Sequence, residues 1–258
     1  MPEFRRIEAG APLPPLARGE CHIWWGGTAL AQPHLLDWLS DRERQRWSAL
    51  RQAGDRDLYL VAHALARGAM ASIAGVAPSK LEFTQTCKHC GGAHGKPRLR
   101  HPALPLELSL SHSGSWAVAA LAFDVPLGID VERITPWFGQ AEAAGLILSP
   151  AERARAGPAQ GTQRPEALAR LWTRKEAALK ATGDGLLVEP SQLTMSAPGE
   201  APALLGWNEA AMPLEPVHLR ALEVDEDHAA CLATIGAALR VHHQDGASLL
   251  QALSCAPL

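Results

Sequence analysis

Trp172-Thr173-Arg174-Lys175-Glu176-Ala177-Ala178-Leu179-Lys180 reads as the middle of a helix. From Glu166 to Ala181 the chain is dominated by Ala, Leu, Arg, Lys and Glu, all strong helix formers. Pro165 suits a first helical turn, and Gly183 stands where a helix commonly stops. Trp172, Glu176 and Lys180 are four apart, so one face would carry a ring, a carboxylate and an ammonium in line. Lys175 points to one side of that line. By itself this is an ordinary charged surface helix, with an i,i+4 ion pair worth a few tenths of a kcal/mol.

A second acidic pair changes the reading. Leu127-Gly128-Ile129-Asp130-Val131-Glu132 alternates as a short strand, with Ile129 and Val131 on one face. Asp130 and Glu132 then share the other face, about 6–7 Å apart along the chain. Two neighbouring carboxylates repel, and a cation between them is the usual relief. Oxygen-only ligands suit a hard ion, and magnesium takes few protein carboxylates while leaving places for phosphate and water. Glu176 would complete such a set. The plain alternative is an edge strand whose acids face water.

Gly-Ile-Asp130-Val-Glu132, followed about forty residues later by Trp172-x-x-Lys175-Glu176-x-x-x-Lys180, resembles the signature of 4'-phosphopantetheinyl transferases. The likeness is greatest to the larger, surfactin-synthetase-activating type. Gly95-Lys96-Pro97 and Ser109-Leu-Ser111-His112-Ser113 match the family in order and spacing, and the resemblance runs from about Leu39 to Ala233. It implies coenzyme A as donor, the serine of an apo acyl or peptidyl carrier protein as acceptor, and 3',5'-ADP as the leaving product. It implies magnesium, for which manganese can substitute, on Asp130, Glu132 and Glu176. Glu176 would also take the serine proton, and Lys180 would reach the phosphate. Lys96, Pro97, Ser111 and His112 would contact the coenzyme. Lys175 and Arg46 are the remaining basic candidates, with Arg67 overlying Lys175 in the first half. Polyketide, nonribosomal-peptide and fatty-acid carriers all remain open.

The chain also repeats itself. Leu148-Ser149-Pro-Ala-Glu152-Arg153 restates Leu39-Ser40-Asp-Arg-Glu43-Arg44 at an offset of about 109. The first copy reads as a capping box, with Ser40 three residues before Glu43. The stretch from Leu65 to Gly75 lies over Thr173 to Gly183 at an offset of about 108, and His228–Ala233 echoes Trp116–Leu121. A constant offset favours duplication: two similar α+β halves in one chain, 1–125 and 126–258, with a cleft between them. The family has the same pseudo-dimeric plan. Gly68 stands where the second half has Glu176, so one asymmetric site is expected. Strands are expected at Cys21–Trp25, Leu81–Thr84, Leu106–His112 and Trp116–Phe123, and a long helix around Asp57–Ile73.

Composition sets the outer bounds. The chain has 258 residues, a net charge of −3 and 47% apolar residues, so no overall field favours nucleic acid or an anionic membrane. No apolar run approaches a membrane span, and five cysteines argue for a reducing cytoplasm rather than a disulfide scaffold. A duplicated chain has no need to dimerise, so a monomer is expected. Cys87-Lys-His89-Cys90-Gly-Gly-Ala-His94 invites a zinc reading but lacks a second separated pair, leaving a reduced thiol pair as the default. Two rivals stand beside the transferase: a metal-dependent nuclease, and a zinc-bearing interaction protein without catalysis. The nuclease pattern of Glu-x-Lys on the strand fails here because position 134 is Ile.

Overall fold

A computed structural model describes residues 4–8, 11–86, 90–92, 95–156, 164–208 and 213–255. The first stretch runs β1 (Glu20–Gly26), α1 (Asp41–Ala49), α2 (Ala53–Ala74), β2 (Glu82–Thr84), β3 (Arg98–His101), β4 (Leu106–Ser113) and β5 (Trp116–Phe123). The second runs β6 (Leu127–Arg133), α3 (Ala141–Ile147), α4 (Pro150–Ala156), α5 (Pro165–Thr182), β7 (Leu193–Met195), β8 (Leu204–Trp207), β9 (Val217–Leu222) and β10 (His228–Ile235). β11 (Arg240–Asp245) and α6 (Gly246–Cys255) close the chain.

Local chemistry accounts for the long helices. Ser40 caps α1 with both bonds of the capping box, its hydroxyl taking the amide of Glu43 while Glu43 receives the amide of Ser40. α2 and α5 both stop at a glycine in the left-handed region, Gly75 at φ 67° and Gly183 at φ 81°. α2 starts four residues before the expected Asp57, and its first turn takes in Gly54 and Asp55, an acid where a helix N-terminus favours one.

The two stretches share one plan. Antiparallel β1-β5-β4 is matched by antiparallel β6-β10-β9, each with a small hairpin (β2-β3, β7-β8) alongside. Alternation sorts the strand residues. Trp24, Ala117, Ala119 and Leu121 face α2, whereas Ala229, Cys231 and Ala233 face α5. Between the sheets lies one shared apolar layer, with Ile23, Trp25 and Val118 from one and Ile129, Val131 and Leu232 from the other. The order is therefore helix, sheet, sheet, helix, an α+β architecture.

The chain's last segment departs from the expected halves. β11 pairs in parallel with β1, giving the sheet order β11-β1-β5-β4, and α6 packs on α2. Residues 240–255 thus join the first sheet, although the expected second half ran to 258.

Candidate active site

β6 and α5 make the closest helix–strand contact in the molecule's second unit, and Gly128 permits it. A Cβ at Gly128 would stand 2.1 Å from the carbonyl oxygen of Ala177 and 2.5 Å from the amide of Ala181. Only glycine lets the helix backbone come this near. The approach brings Glu176 and Lys180 down onto the face of β6 that carries Asp130 and Glu132, as the alternation predicts.

Three carboxylates meet one ammonium there. Lys180 Nζ donates to Asp130 Oδ1 at 2.6 Å, to Ser111 Oγ at 3.1 Å and to the Ile129 carbonyl at 3.2 Å. Asp130 is 2% exposed and Glu176 7%. Burial pushes Glu176 up to about 7, and the neighbouring Asp130 adds to the push while Lys180 opposes it. Burial also raises Asp130 and Glu132 above their ordinary range, the latter helped by Asp130. Asp130 Oδ2 and Glu176 Oε1 are buried without a hydrogen-bond partner. Negative charge exceeds positive by two at this spot, and two orphaned oxygens mark where a cation would be welcomed. A divalent, oxygen-seeking ion fits the donor set. As the side chains lie, no group of three carboxylates, imidazoles or thiols closes into a ligand set among the described residues. Two of the three acids are held elsewhere, Asp130 by Lys180 and Glu132 by Ser113.

The strand that holds them is β4. Its alternate residues Ser109, Ser111 and Ser113 all reach β6: the Ile129 amide donates to Ser109 Oγ at 3.0 Å, Ser111 Oγ donates to Asp130 Oδ1 at 2.9 Å, and Ser113 Oγ donates to Glu132 Oε2 at 2.7 Å. Ser109 and Ser113 carried no role in the sequence reading. A hydroxyl at every second position was the available signal, but a period of two shows only which face they share.

Next to this cluster is a cavity of about 530 Å³, walled by Arg46, His63 and the Gly95-Lys96-Pro97 turn from the first unit and by Lys180 and Gly183–Gly185 from the second. Of the expected coenzyme contacts, Arg46, Lys96, Pro97 and Lys180 line it; Ser111, His112 and Lys175 do not. His112 lies edge-on to Tyr59, and burial, with help from His63 and Lys180, holds it down at about 4. It is thus a neutral ring at neutral pH, suited to a hydrogen bond rather than to charge pairing.

Two of the expected phosphate contacts hold bonds within the protein. Lys96 Nζ is bound to Glu107 Oε2 at 2.7 Å, to the Leu127 carbonyl at 2.9 Å and to the Ala181 carbonyl at 3.5 Å. It ties β4, β6 and the end of α5 together at the cavity wall. Lys175 is fully buried, 2.5 Å from both Glu152 Oε2 and the Ile147 carbonyl. A lysine is readable as a charge in sequence, but burial decides what the charge meets. Cys87, His89 and His94 lie outside the described residues, and Cys90 is exposed.

The model of the 4'-phosphopantetheinyl transferase superfamily matches residues 126–233, from the strand before Asp130 through most of β10. The HetI 4'-phosphopantetheinyl transferase of Nostoc is 30% identical over 185 residues, covering 68% of this chain and 75% of that one. This chain belongs to the 4'-phosphopantetheinyl transferase superfamily. A 4'-phosphopantetheinyl transferase of Bacillus subtilis is 27% identical over 198 residues, 76% of this chain and 82% of its own length. The Bacillus pumilus transferase psf-1 reaches 36% over 128 residues. The family match spans β6 and α5, so every carboxylate of the cluster falls inside it.

Proposed function

We propose that this phosphopantetheinyl transferase moves the 4'-phosphopantetheine arm of coenzyme A onto a serine of an apo acyl or peptidyl carrier protein. The observation that carries this reading is the cluster of Asp130, Glu132 and Glu176 on β6 and α5, beside a cavity large enough for a nucleotide. The serine hydroxyl attacks the phosphorus bearing the pantetheine arm. The bond to the bridging diphosphate oxygen breaks, and adenosine 3',5'-bisphosphate leaves with that oxygen. Glu176 accepts the serine proton; a carboxylate raised to about 7 is matched to that task near neutral pH. Lys180 holds Asp130 in place and turns one charged side toward the cavity. Neither a Ser–His nor a Cys–His pair stands here among the described residues, so transfer is direct.

Magnesium, or manganese in its place, would be held by Asp130, Glu132 and Glu176 and would neutralise the diphosphate oxygens. Lys180 and Ser113 must then share or release the oxygens they now hold. Further parts of the reading are a cytoplasmic protein that acts as a monomer, divided near 125 with its last segment returned to the first half. Among the described residues no helix is long and apolar enough to cross a membrane. Polyketide, nonribosomal-peptide and fatty-acid carriers are the candidate acceptors.

The test is mass spectrometry of an apo-carrier incubated with the protein, coenzyme A and magnesium. One added arm is expected, lost when the carrier serine becomes Ala and lost on chelation. Carriers of every class left unmodified would remove the reading.

A further inference from the structure

The two units grip each other at equivalent turns. β4 runs into β5 through Gly114 and Ser115, and β9 runs into β10 through residues 223–227. One repeat apart, Trp116 opens β5 and His228 opens β10. Both hold the same carboxylate, one oxygen each. Trp116 Nε1 donates to Asp225 Oδ2 at 2.7 Å, and His228 Nδ1 stands 2.6 Å from Asp225 Oδ1. The Ser115 amide donates to His228 Nε2 at 3.4 Å, so Nδ1 is the nitrogen that gives its hydrogen to Asp225. Asp225 also accepts the amide of Asp227 at 3.0 Å, which closes its own turn.

The first unit's turn lies tight on this support. A Cβ at Gly114 would stand 2.4 Å from His228 Nε2 and 2.8 Å from the Cβ of Arg133. Rings wall in Trp116, with Trp25 edge-on at 6.0 Å and Phe4 at 5.9 Å between centroids. What the turn carries is Ser113, which pairs with Trp116 across the β4–β5 ladder. Ser113 Oγ accepts the Arg133 amide at 3.1 Å and donates to Glu132 Oε2 at 2.7 Å. A line of contacts therefore runs from Asp225 through Trp116 and Ser113 to Glu132. It leaves the second unit, crosses the first and returns. Asp225 itself stands away from the cavity beside the cluster.

We propose that Asp225 is a positioning residue for the acidic cluster: by holding Trp116 and His228 it fixes the β4–β5 turn and keeps Ser113 on Glu132. This rests on the transferase reading for the ion that the cluster would take. A carboxylate that binds a metal is oriented by hydrogen bonds from groups that do not touch the ion, and losing one typically costs roughly 10–100-fold in affinity. Ser113 gives Glu132 that bond, and Asp225 sets where Ser113 stands. The indole suits the link, because its one N–H makes a single directed bond while packing holds its ring.

The experiment titrates manganese(II) into the whole protein, with and without coenzyme A, and reads the free ion by electron paramagnetic resonance. Ser113→Ala should weaken manganese binding about tenfold. Asp225→Asn keeps the side chain's shape but turns one acceptor into a donor, and Trp116→Phe removes the N–H while keeping a ring against Phe4 and Trp25. Each should weaken binding about threefold, less than a group that touches Glu132 itself. Glu226→Gln removes a charge at the neighbouring exposed position and should change nothing. Added to Ser113→Ala, neither Asp225→Asn nor Trp116→Phe should cost anything more, because the line is already cut at Ser113. Full additivity in the double variants, unchanged affinity in both single ones, or an equal loss in Glu226→Gln would overturn the assignment and leave the cluster as a metal site. A wild type that takes up no manganese in either condition would remove the metal reading and this assignment together. The expected pattern in a protein that leaves every carrier unmodified would sink the transfer reading and not this one.

Discussion

Set β6 and α5 beside β1 and α2, and the same frame carries opposite contents. The sheet registers align Asp130 with Trp24 and Glu132 with Gly26, since Cys231 and Ala119 are their respective partners one repeat apart. Glu176 aligns with Gly68. Each of the three clustered carboxylates has an apolar residue or a glycine at its place in the first unit. Trp24 is buried in the α2 core, and a Cβ on Gly26 would meet Leu30 at 2.9 Å. Over Gly68 lie Leu253 of α6 and Trp38. The first unit packs this face beneath Trp38 and α6, whereas the second keeps it acidic. One frame can thus serve packing in one unit and carry an acidic cluster in the other.

The largest effect that comparison predicts is on turnover. Glu176→Gln removes the proton acceptor and one carboxylate, and transfer should fall about 10³-fold or more. Gly68→Glu should create no second site. Its side chain would have to displace α6, at a cost of about 1–3 kcal/mol. Carrier modification followed by mass spectrometry, with urea unfolding beside it, reads both. A Gly68→Glu/Glu176→Gln double variant that modifies carrier while Glu176→Gln alone is inert would break the asymmetry.

The buried ties come next. Lys175→Met leaves the buried Glu152 charge with backbone amides but no cation, and should lower stability by about 3–5 kcal/mol. Arg67→Met should cost less, because Glu43 is partly open to water whereas Glu152 is closed off from it. Equal losses on denaturant titration would mean that the two ties are interchangeable after all.

These ties mark where sequence stopped being legible. Helix ends, strand faces and the repeat were readable because caps, glycines and alternation act over a few residues. The carboxylate cluster was readable because two periodicities, two and four, each fixed a face. Lys96 and Lys175 were not, since their partners Glu107, Leu127, Glu152 and Ile147 lie on other elements. The return of β11 to β1 was equally hidden. It pairs Glu20 with Arg240, and parallel pairing at that separation leaves no local pattern. The serine ladder of β4 needed its partner strand before its purpose could be seen.

A smaller effect separates the two arginines of the repeat. Arg46→Ala should weaken coenzyme A binding about tenfold with little change in stability, since Arg46 lines the cavity. Arg155→Ala should do the reverse, costing about 1–2 kcal/mol through the lost bond to Met195 and leaving affinity unchanged. Calorimetry and thermal unfolding on the same pair decide it. Loss of affinity in Arg155→Ala would mean that β7 communicates with the cavity.

The smallest expected effect concerns acid. Burial works to raise Glu43, but the bonds from His63 and Arg67 outweigh it and hold the carboxyl below its ordinary 4.5. A carboxyl depressed in the folded state contributes stability that is present above its unfolded value and is lost as pH falls toward the folded one. Between pH 7 and pH 4 the loss from this one group is about 1 kcal/mol, because the unfolded chain begins to take up the proton that the folded chain refuses. Glu43→Gln cannot titrate, so its stability should fall less steeply over that range than that of wild type. Urea midpoints at pH 7, 5 and 4 give the two slopes. Parallel slopes would show that the charge on Glu43 is not what the first unit's tie depends on.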